Sequence, residues 1–338
     1  MNTFFKNGRR LKIKMLALTI ILLISQDGKA QFRSSNFVPY SSVSFGIGTS
    51  SYYGDMAPYG RPFASTFGMM RWNVTADYTR HFNPWFGARA SFTWARISGD
   101  DFKMSTMGSQ VNNTLFARNL HFRNDLKEFA LTGIIKLTPD SRSYDRRPIF
   151  GAYIFAGIAA VAHNPVARVP DLEGNQWVRL QPLGTEGQGS PGYEKPYSLV
   201  QFAIPFGFGL RYKINSRFDI SGEAGFRITS TDYLDDISGN YPDPNVLKDD
   251  LARSMSKRSA EPTAARKGGD RTEGMRDFIS TRYGITDPSV DPFIVISQTN
   301  FGLSGTRRGS DNRRDNYLLG SIHLTYILGS PIKCPPLK

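Results

Sequence analysis

The sequence predicts an all-β chain: an eight-stranded antiparallel transmembrane β-barrel of the outer-membrane type, with long outer loops and short periplasmic turns. Three observations predict it. Apolar residues recur at every second position over long stretches, the spacing of a strand with one apolar and one polar face. The connections between these stretches alternate between short and long, as in barrels that cross a bilayer repeatedly. The chain opens on an export pattern but afterwards holds no apolar run of the roughly 18 residues a spanning helix needs, so any spanning element is a strand.

Residues 1–30 read as a signal peptide. Lys6, Arg9, Arg10, Lys12 and Lys14 form a basic start, Met15 to Ile24 is apolar, and Gly28-Lys29-Ala30 places small residues before a cut at Gln31. The 338 residues carry 42 Lys+Arg against 29 Asp+Glu, a net charge of +13, and part of that excess belongs to this segment. A single cysteine, Cys334, excludes an intrachain disulfide framework and a cysteine-built zinc or iron–sulfur site. The remaining chain divides into a barrel over 31–329, with a long loop insertion at 233–312, and a tail over 330–338.

The strands follow in order. Residues 40–51 alternate through Val43, Phe45 and Ile47. In 67–82, Met70, Trp72, Val74, Ala76 and Tyr78 oppose Arg71, Asn73, Thr75 and Asp77. Asn83-Pro84 turns the chain into 85–98, where Phe86, Ala88, Ala90, Phe92 and Trp94 share a face. Residues 120–137 place Phe129, Leu131, Ile135 and Leu137 together, and 148–163 is apolar or small on both faces. In 197–214 the outward set is Val200, Phe202, Ile204, Phe206, Phe208, Leu210 and Tyr212, and Pro205 within it removes a ladder donor, which predicts a bulge or kink. Asn215-Ser216 turns into 217–232, the most regular segment, and 316–328 closes the series.

Alternation does not say which face is wet. Arg71, Asp77, Arg89, Glu128, Lys136, Arg211, Asp219, Glu223 and Arg227 face either outside water, as in a lipocalin-like or sandwich fold, or a lumen. Aromatics at the strand ends (Trp72, Phe82, Phe86, Trp94, Tyr212, Phe218, Tyr326) and the export signal favour the membrane. Eight strands enclose a lumen that side chains fill, so these mixed charges should pair into a plug, which argues against a diffusion pore.

Several segments in order resemble a known family: Ser51-Tyr-Tyr-Gly-Asp-Met56, Arg118-Asn-Leu-His-Phe-Arg-Asn-Asp125, Gln181-Pro-Leu-Gly-Thr-Glu-Gly-Gln-Gly189, Ile204-Pro-Phe-Gly207 and Thr231-Asp-Tyr-Leu-Asp-Asp-Ile-Ser238. Together they resemble the Bacteroidota outer-membrane barrel family that includes PorG of the type IX secretion system. The resemblance covers about 38–240 and 311–329. It implies a non-enzymatic structural subunit in the outer membrane, surrounded by lipid and touching periplasmic ring proteins through its short turns. The candidate interaction residues that follow are Tyr52, Tyr53, Gly54 and Asp55; Gln181, Pro182, Leu183, Gly184, Glu186 and Gly187; and Asp232, Tyr233, Asp235 and Asp236. The chain departs from the family in its long 246–312 stretch and in continuing past its last strand to Lys338. A standalone envelope barrel, in adhesion or maintenance, is the alternative.

Other chemistry is weakly signalled. Asp232, Asp235 and Asp236 fit no EF-hand spacing and read as a solvated loop start rather than a Ca²⁺ site. The 181–189 segment lacks the Lys-Ser/Thr of a phosphate loop. His163 is the one candidate base for a lipid-modifying enzyme, with no serine or carboxylate placed beside it by motif. In the long loop, Leu247, Leu251 and Met255 have helical spacing, Lys248, Arg253, Lys257 and Arg258 read as a solvated face, and 261–274 reads as polar and mobile. No cofactor, metal or nucleic-acid motif is present in the sequence.

Overall fold

The computed structural model describes residues 37–106, 113–170, 176–266, 268–310 and 313–329. The segment expected to be a signal peptide, 1–30, and the expected tail, 330–338, Cys334 included, lie outside them. Eight long strands form the wall: β1 (Tyr40–Tyr53), β2 (Arg71–His81), β3 (Phe86–Asp100), β4 (His121–Lys136), β5 (Phe150–Ala162), β8 (Val200–Lys213), β9 (Phe218–Thr229) and β10 (Asn316–Ile327). All wall pairings are antiparallel, β1 pairs with β10, and β3 with β4 completes the closed circuit. Two short strands, β6 (Val166–Arg168) and β7 (Trp177–Arg179), form a hairpin on the outer end of β4.

The faces are now oriented. Phe45, Phe92, Leu131, Phe208 and Ile322 point outward and are exposed, with Phe202 at 73%. Asp77, Glu128, Lys136, Asp219 and His323 point inward and are buried. A soluble barrel would reverse this, because a continuous apolar outer face in water is strongly unfavourable. The chain is therefore a transmembrane barrel, and the lipocalin-like reading is excluded. Aromatic pairs mark the limits of the apolar band: Phe82–Phe86, Phe150–Tyr212 and Phe218–Tyr326 at the short-turn end, and Trp72–Trp94 at the other.

Inside, the charges pair as expected of a narrow lumen. Arg89 meets Glu223 at 2.8 Å, Arg227 meets Glu128 at 3.3 Å, Arg147 meets Asp219 at 2.7 Å, and His323 Nδ1 lies 3.0 Å from Asp77. Lys136 pairs with Asp140, which Arg211 also approaches at 3.3 Å. Two lumen cavities of about 60 and 30 Å³ are both lined by Arg89, Glu223 and His323, so this trio stands between them. The smaller holds little more than a water molecule.

Pro205 interrupts a ladder, as a residue without a backbone donor should, but makes no bulge. Its ladder with β9 is continuous, Pro205 opposite Arg227. On the β5 side, pairing is interrupted between Ala156↔Phe206 and Ala159↔Ala203, yet the register is the same on both sides. The lost donor leaves a gap without inserting an extra residue, so there is no bulge. The second strand also begins later than 67, because Pro62–Gly68 is a helix, α1.

The long connections build a cap over the outer mouth. The first loop carries α1. The second carries α2 (Asp101–Thr106) and α3 (Asn113–Arg118). The third carries β6 and β7. The fourth carries α4 (Asp250–Ser256), α5 (Thr272–Tyr283) and α6 (Pro292–Gln298). Beneath it the barrel mouth is apolar: Met56, Ile97, Phe122, Leu126, Leu183, Leu234, Ile237, Met255, Tyr317 and Leu319 form one buried core. All the wall strands but β2 have 12 to 16 residues, more than the roughly 9–11 needed to cross a bilayer, and their surplus length supplies the lower half of this core.

Candidate functional site

The three segments singled out in the sequence meet in the cap, around two buried arginines. Arg308, in the fourth loop, donates from Nη1 to Glu186 Oε1 at 2.8 Å and to the Asp236 carbonyl at 2.7 Å, and from Nε to the Ser256 carbonyl at 3.2 Å. Glu186 also accepts the backbone N–H groups of Ser238 and Gly239, both at 3.1 Å. Arg118, at the end of α3, forks onto both Asp101 oxygens at 2.7 Å and donates to the carbonyls of Arg308 and Asp55. Asp55 accepts the Ser310 N–H at 2.9 Å. Asp55, Glu186 and Asp236 thus come from three loops, and the two arginines lock them to the second and fourth.

The aspartates after β9 are not a solvated loop start. Asp235 and Asp236 are fully buried. Tyr52 donates to Asp235 at 2.6 Å and to Asp315 at 2.7 Å, and Asp236 accepts from Thr185 at 2.5 Å and from Tyr197 at 2.7 Å. Burial raises the Asp236 carboxyl to about 6, against the opposing pull of Arg308 and its hydroxyl donors. Burial also raises Asp235 and Asp315, helped by the neighbouring carboxylates. No group of three or more His, Cys, Asp or Glu among the described residues is placed to hold a metal ion.

The local sequence explains the geometry. The Gln181–Leu183 turn ends at Gly184, in the left-handed region with Gly187 and Gly189, which bends the segment back over the mouth. Leu183 enters the core, Gln181 donates to the Tyr197 carbonyl, and the Pro182 carbonyl accepts from Lys248. Tyr233 stacks on Tyr197 with centroids 4.7 Å apart, Tyr53 stacks on Tyr59 at 5.5 Å, and Gly54 bridges to Ala57. Asp232 sits partly exposed beside this group. Asn119 and Asp236 are the non-glycine residues at positive φ among those described, and each spends its side chain on holding loops together. Asn119 bonds Arg258, Thr263 and Ala265 backbone groups.

The long fourth loop is more ordered in its bonding than its composition implies. Arg258 is buried and forks onto Glu261 at 2.6 and 2.9 Å, so it does not belong to a solvated face. Arg271, within the stretch expected to be mobile, is fully buried, with Nη2 donating to the Phe116 carbonyl at 2.7 Å and Nη1 to the Glu261 carbonyl at 2.5 Å. The anchors Arg308, Arg271, Asp101 and Asp315 were missed. Their only sequence signal is a charge beside Gly or a turn, which is also the signal of solvent exposure.

His163 is buried, its Nε2 bonded to the Ser198 carbonyl at 3.1 Å and its Nδ1 facing the Asn124 amide at 3.4 Å. Burial lowers it to about 4. Two surface clefts open on the cap. One, about 440 Å³, runs along Glu186, Tyr193, Tyr233 and Tyr241; the other, about 410 Å³, along Asp55, Tyr59, Arg307 and Arg313.

No protein-family model and no curated relative matches the chain. Solved structures do. Ail, the attachment invasion locus protein of Yersinia pestis, aligns at 10% identity and TM-score 0.33, covering 86% of this chain and 99% of Ail. The outer membrane protein OprG from Pseudomonas aeruginosa aligns at 7% identity and TM-score 0.32, over 87% and 99% of the two chains. Neisserial surface protein A aligns at 6% and 0.30, over 85% and 96%.

Proposed function

We propose that this chain is a non-enzymatic structural subunit of the outer membrane, working in type IX protein secretion by seating a periplasmic ring against the membrane. The plugged lumen carries this reading. An ion-paired interior leaves nothing to transport, so function falls to the two ends. The short-turn end suits a docking role. Arg80, Arg142, Arg146, Lys213 and Arg217 stand there against the exposed Asp145, and Trp85 and Ile149 are exposed beside them. A positively charged, partly apolar end fits an acidic periplasmic partner. The resemblance of segments 51–56, 181–189 and 231–238 to the secretion-system family supplies the name of that partner.

The test is a deletion strain assayed for type IX cargo in the medium, complemented by the wild-type gene and by a charge-reversed R142E/R146E form. Cargo lost in the deletion and not restored by the reversed form supports the proposal. Normal cargo in the deletion sinks it. The two cap clefts favour one other reading, a standalone barrel that binds a surface ligand outside the cell, and that reading predicts normal secretion.

A further inference from the structure

The outer rim of β2, β3, β4 and the β6–β7 hairpin gathers cations directly above the apolar band. Trp72 and Trp94 meet edge to face, 5.2 Å between centroids, at the top of that band. Arg96 lies over Trp72 at 5.4 Å, and Lys127 is opposite Trp94 in the β3–β4 register. One step toward the cap, Arg96 is opposite Asp125 and forks onto it at 2.6 and 2.8 Å. Arg123 follows on β4, its guanidinium 4.3 Å from the Trp177 ring. Arg266 of the fourth loop sits 3.4 Å from Asp100, within Coulombic reach of both Arg71 and Arg123.

Arg71, on the face of β2 opposite Trp72, lies at the cap end of that strand within Coulombic reach of Arg96, Arg266 and Asp100, so Arg71, Arg96, Arg123, Lys127 and Arg266 gather here with Asp100 and Asp125. Arg71 donates to the Met70 carbonyl at 2.8 Å, and neither Arg71 nor Arg123 has a carboxylate in ion-pair contact among the described residues. Arg123 Nε is shielded from solvent without a hydrogen-bond partner. Repulsion among half-buried guanidinium groups is unfavourable until an anion joins them, and the guanidinium fork matches phosphate geometry. The rim is continuous with the lipid-facing surface, so an anion carried by a membrane lipid arrives at this height with its acyl chains on the band below. We propose that this rim binds the phosphorylated sugar headgroup of an outer-leaflet glycolipid.

The experiment uses the full barrel in detergent micelles. Diphosphorylated lipid A, its dephosphorylated form and soluble heparin are each titrated, with bound lipid counted by native mass spectrometry and the tryptophan emission followed. The expected result is saturable binding of the diphosphorylated lipid, about tenfold or more weaker after removal of its phosphates. R71Q/R123Q should weaken it by a similar factor, because neither arginine holds an ion pair that folding needs. R266Q, in a loop, is the second variant should the first fail to show the heat-modifiable mobility of a folded barrel. Equal binding of the dephosphorylated lipid, unchanged affinity in the variants, or preferential binding of heparin through the same arginines would overturn the proposal. The deletion assay above is independent of all of these outcomes.

Discussion

Arg308 shows what one side chain does in the cap. It is buried, it contacts Glu186 directly, and it spans two loops. Truncation in Arg308→Met strands Glu186 and Asp236 without their cation, a change that costs about 3–5 kcal/mol in comparable buried pairs. The expected outcome is a cap opened to protease while the barrel keeps its heat-modifiable mobility. Asp236 gives a pH dependence. Its folded value, about 6, stands above the ordinary 3.8. The folded cap therefore holds a proton that the unfolded loops release. Its contribution is full below the unfolded value and is lost as pH rises through about 6, a swing of about 3 kcal/mol. Hydrogen exchange of the 231–239 backbone, corrected for intrinsic rate, should show more protection at about pH 4 than at about pH 8. In Asp236→Asn this difference should shrink, and an unchanged difference would assign the effect elsewhere.

At the scale of the element, the strands carry the test of the membrane reading. Ile322 stands exposed near the middle of β10. Arginine there, in lipid vesicles, should cost about 2–4 kcal/mol in a denaturant titration. The same change on a wet surface costs within about half a kcal/mol, so a small loss would undo the assignment of this face to lipid. The strands were legible because period-two alternation is a local property: all eight wall strands stand within a few residues of expectation. Phe67 was misplaced because Pro62 starts a helix whose short length leaves no periodic signal. The β6–β7 hairpin was missed because three-residue strands show no alternation at all. Asp235 and Arg271 were misjudged for another reason. A charge is read as wet unless its partner is visible, and Tyr52, Asp315 and the Phe116 carbonyl lie far away in sequence. The segments that resemble the secretion family converge in the cap, where Asp55, Glu186 and Asp236 share one hydrogen-bond network although they are far apart in sequence.

Across the whole molecule, the lumen and the cap close the barrel in series. Charge pairs occupy the centre and an apolar core fills the outer mouth. Planar-bilayer recordings should show no discrete conductance from the wild-type chain. Removal of the fourth loop's contacts by Arg308→Met should leave it silent, because Arg89, Glu223 and His323 still block the middle. A steady conductance in the wild type would mean that the pairs open, and the structural role would then lose its main support.

The pairing of β1 with β10 has a consequence for manufacture. From Ser42 opposite Ile327 to Tyr53 opposite Asn316, the seam joins the first wall strand to the last. Until β10 has been made and delivered, the sheet has two naked edges, each offering unpaired backbone groups to any neighbour. The cap is incomplete over the same interval, since Arg308 and Asp315 arrive just before β10. The last wall strand is therefore the fastener of the whole sheet: only its arrival covers both edges at once.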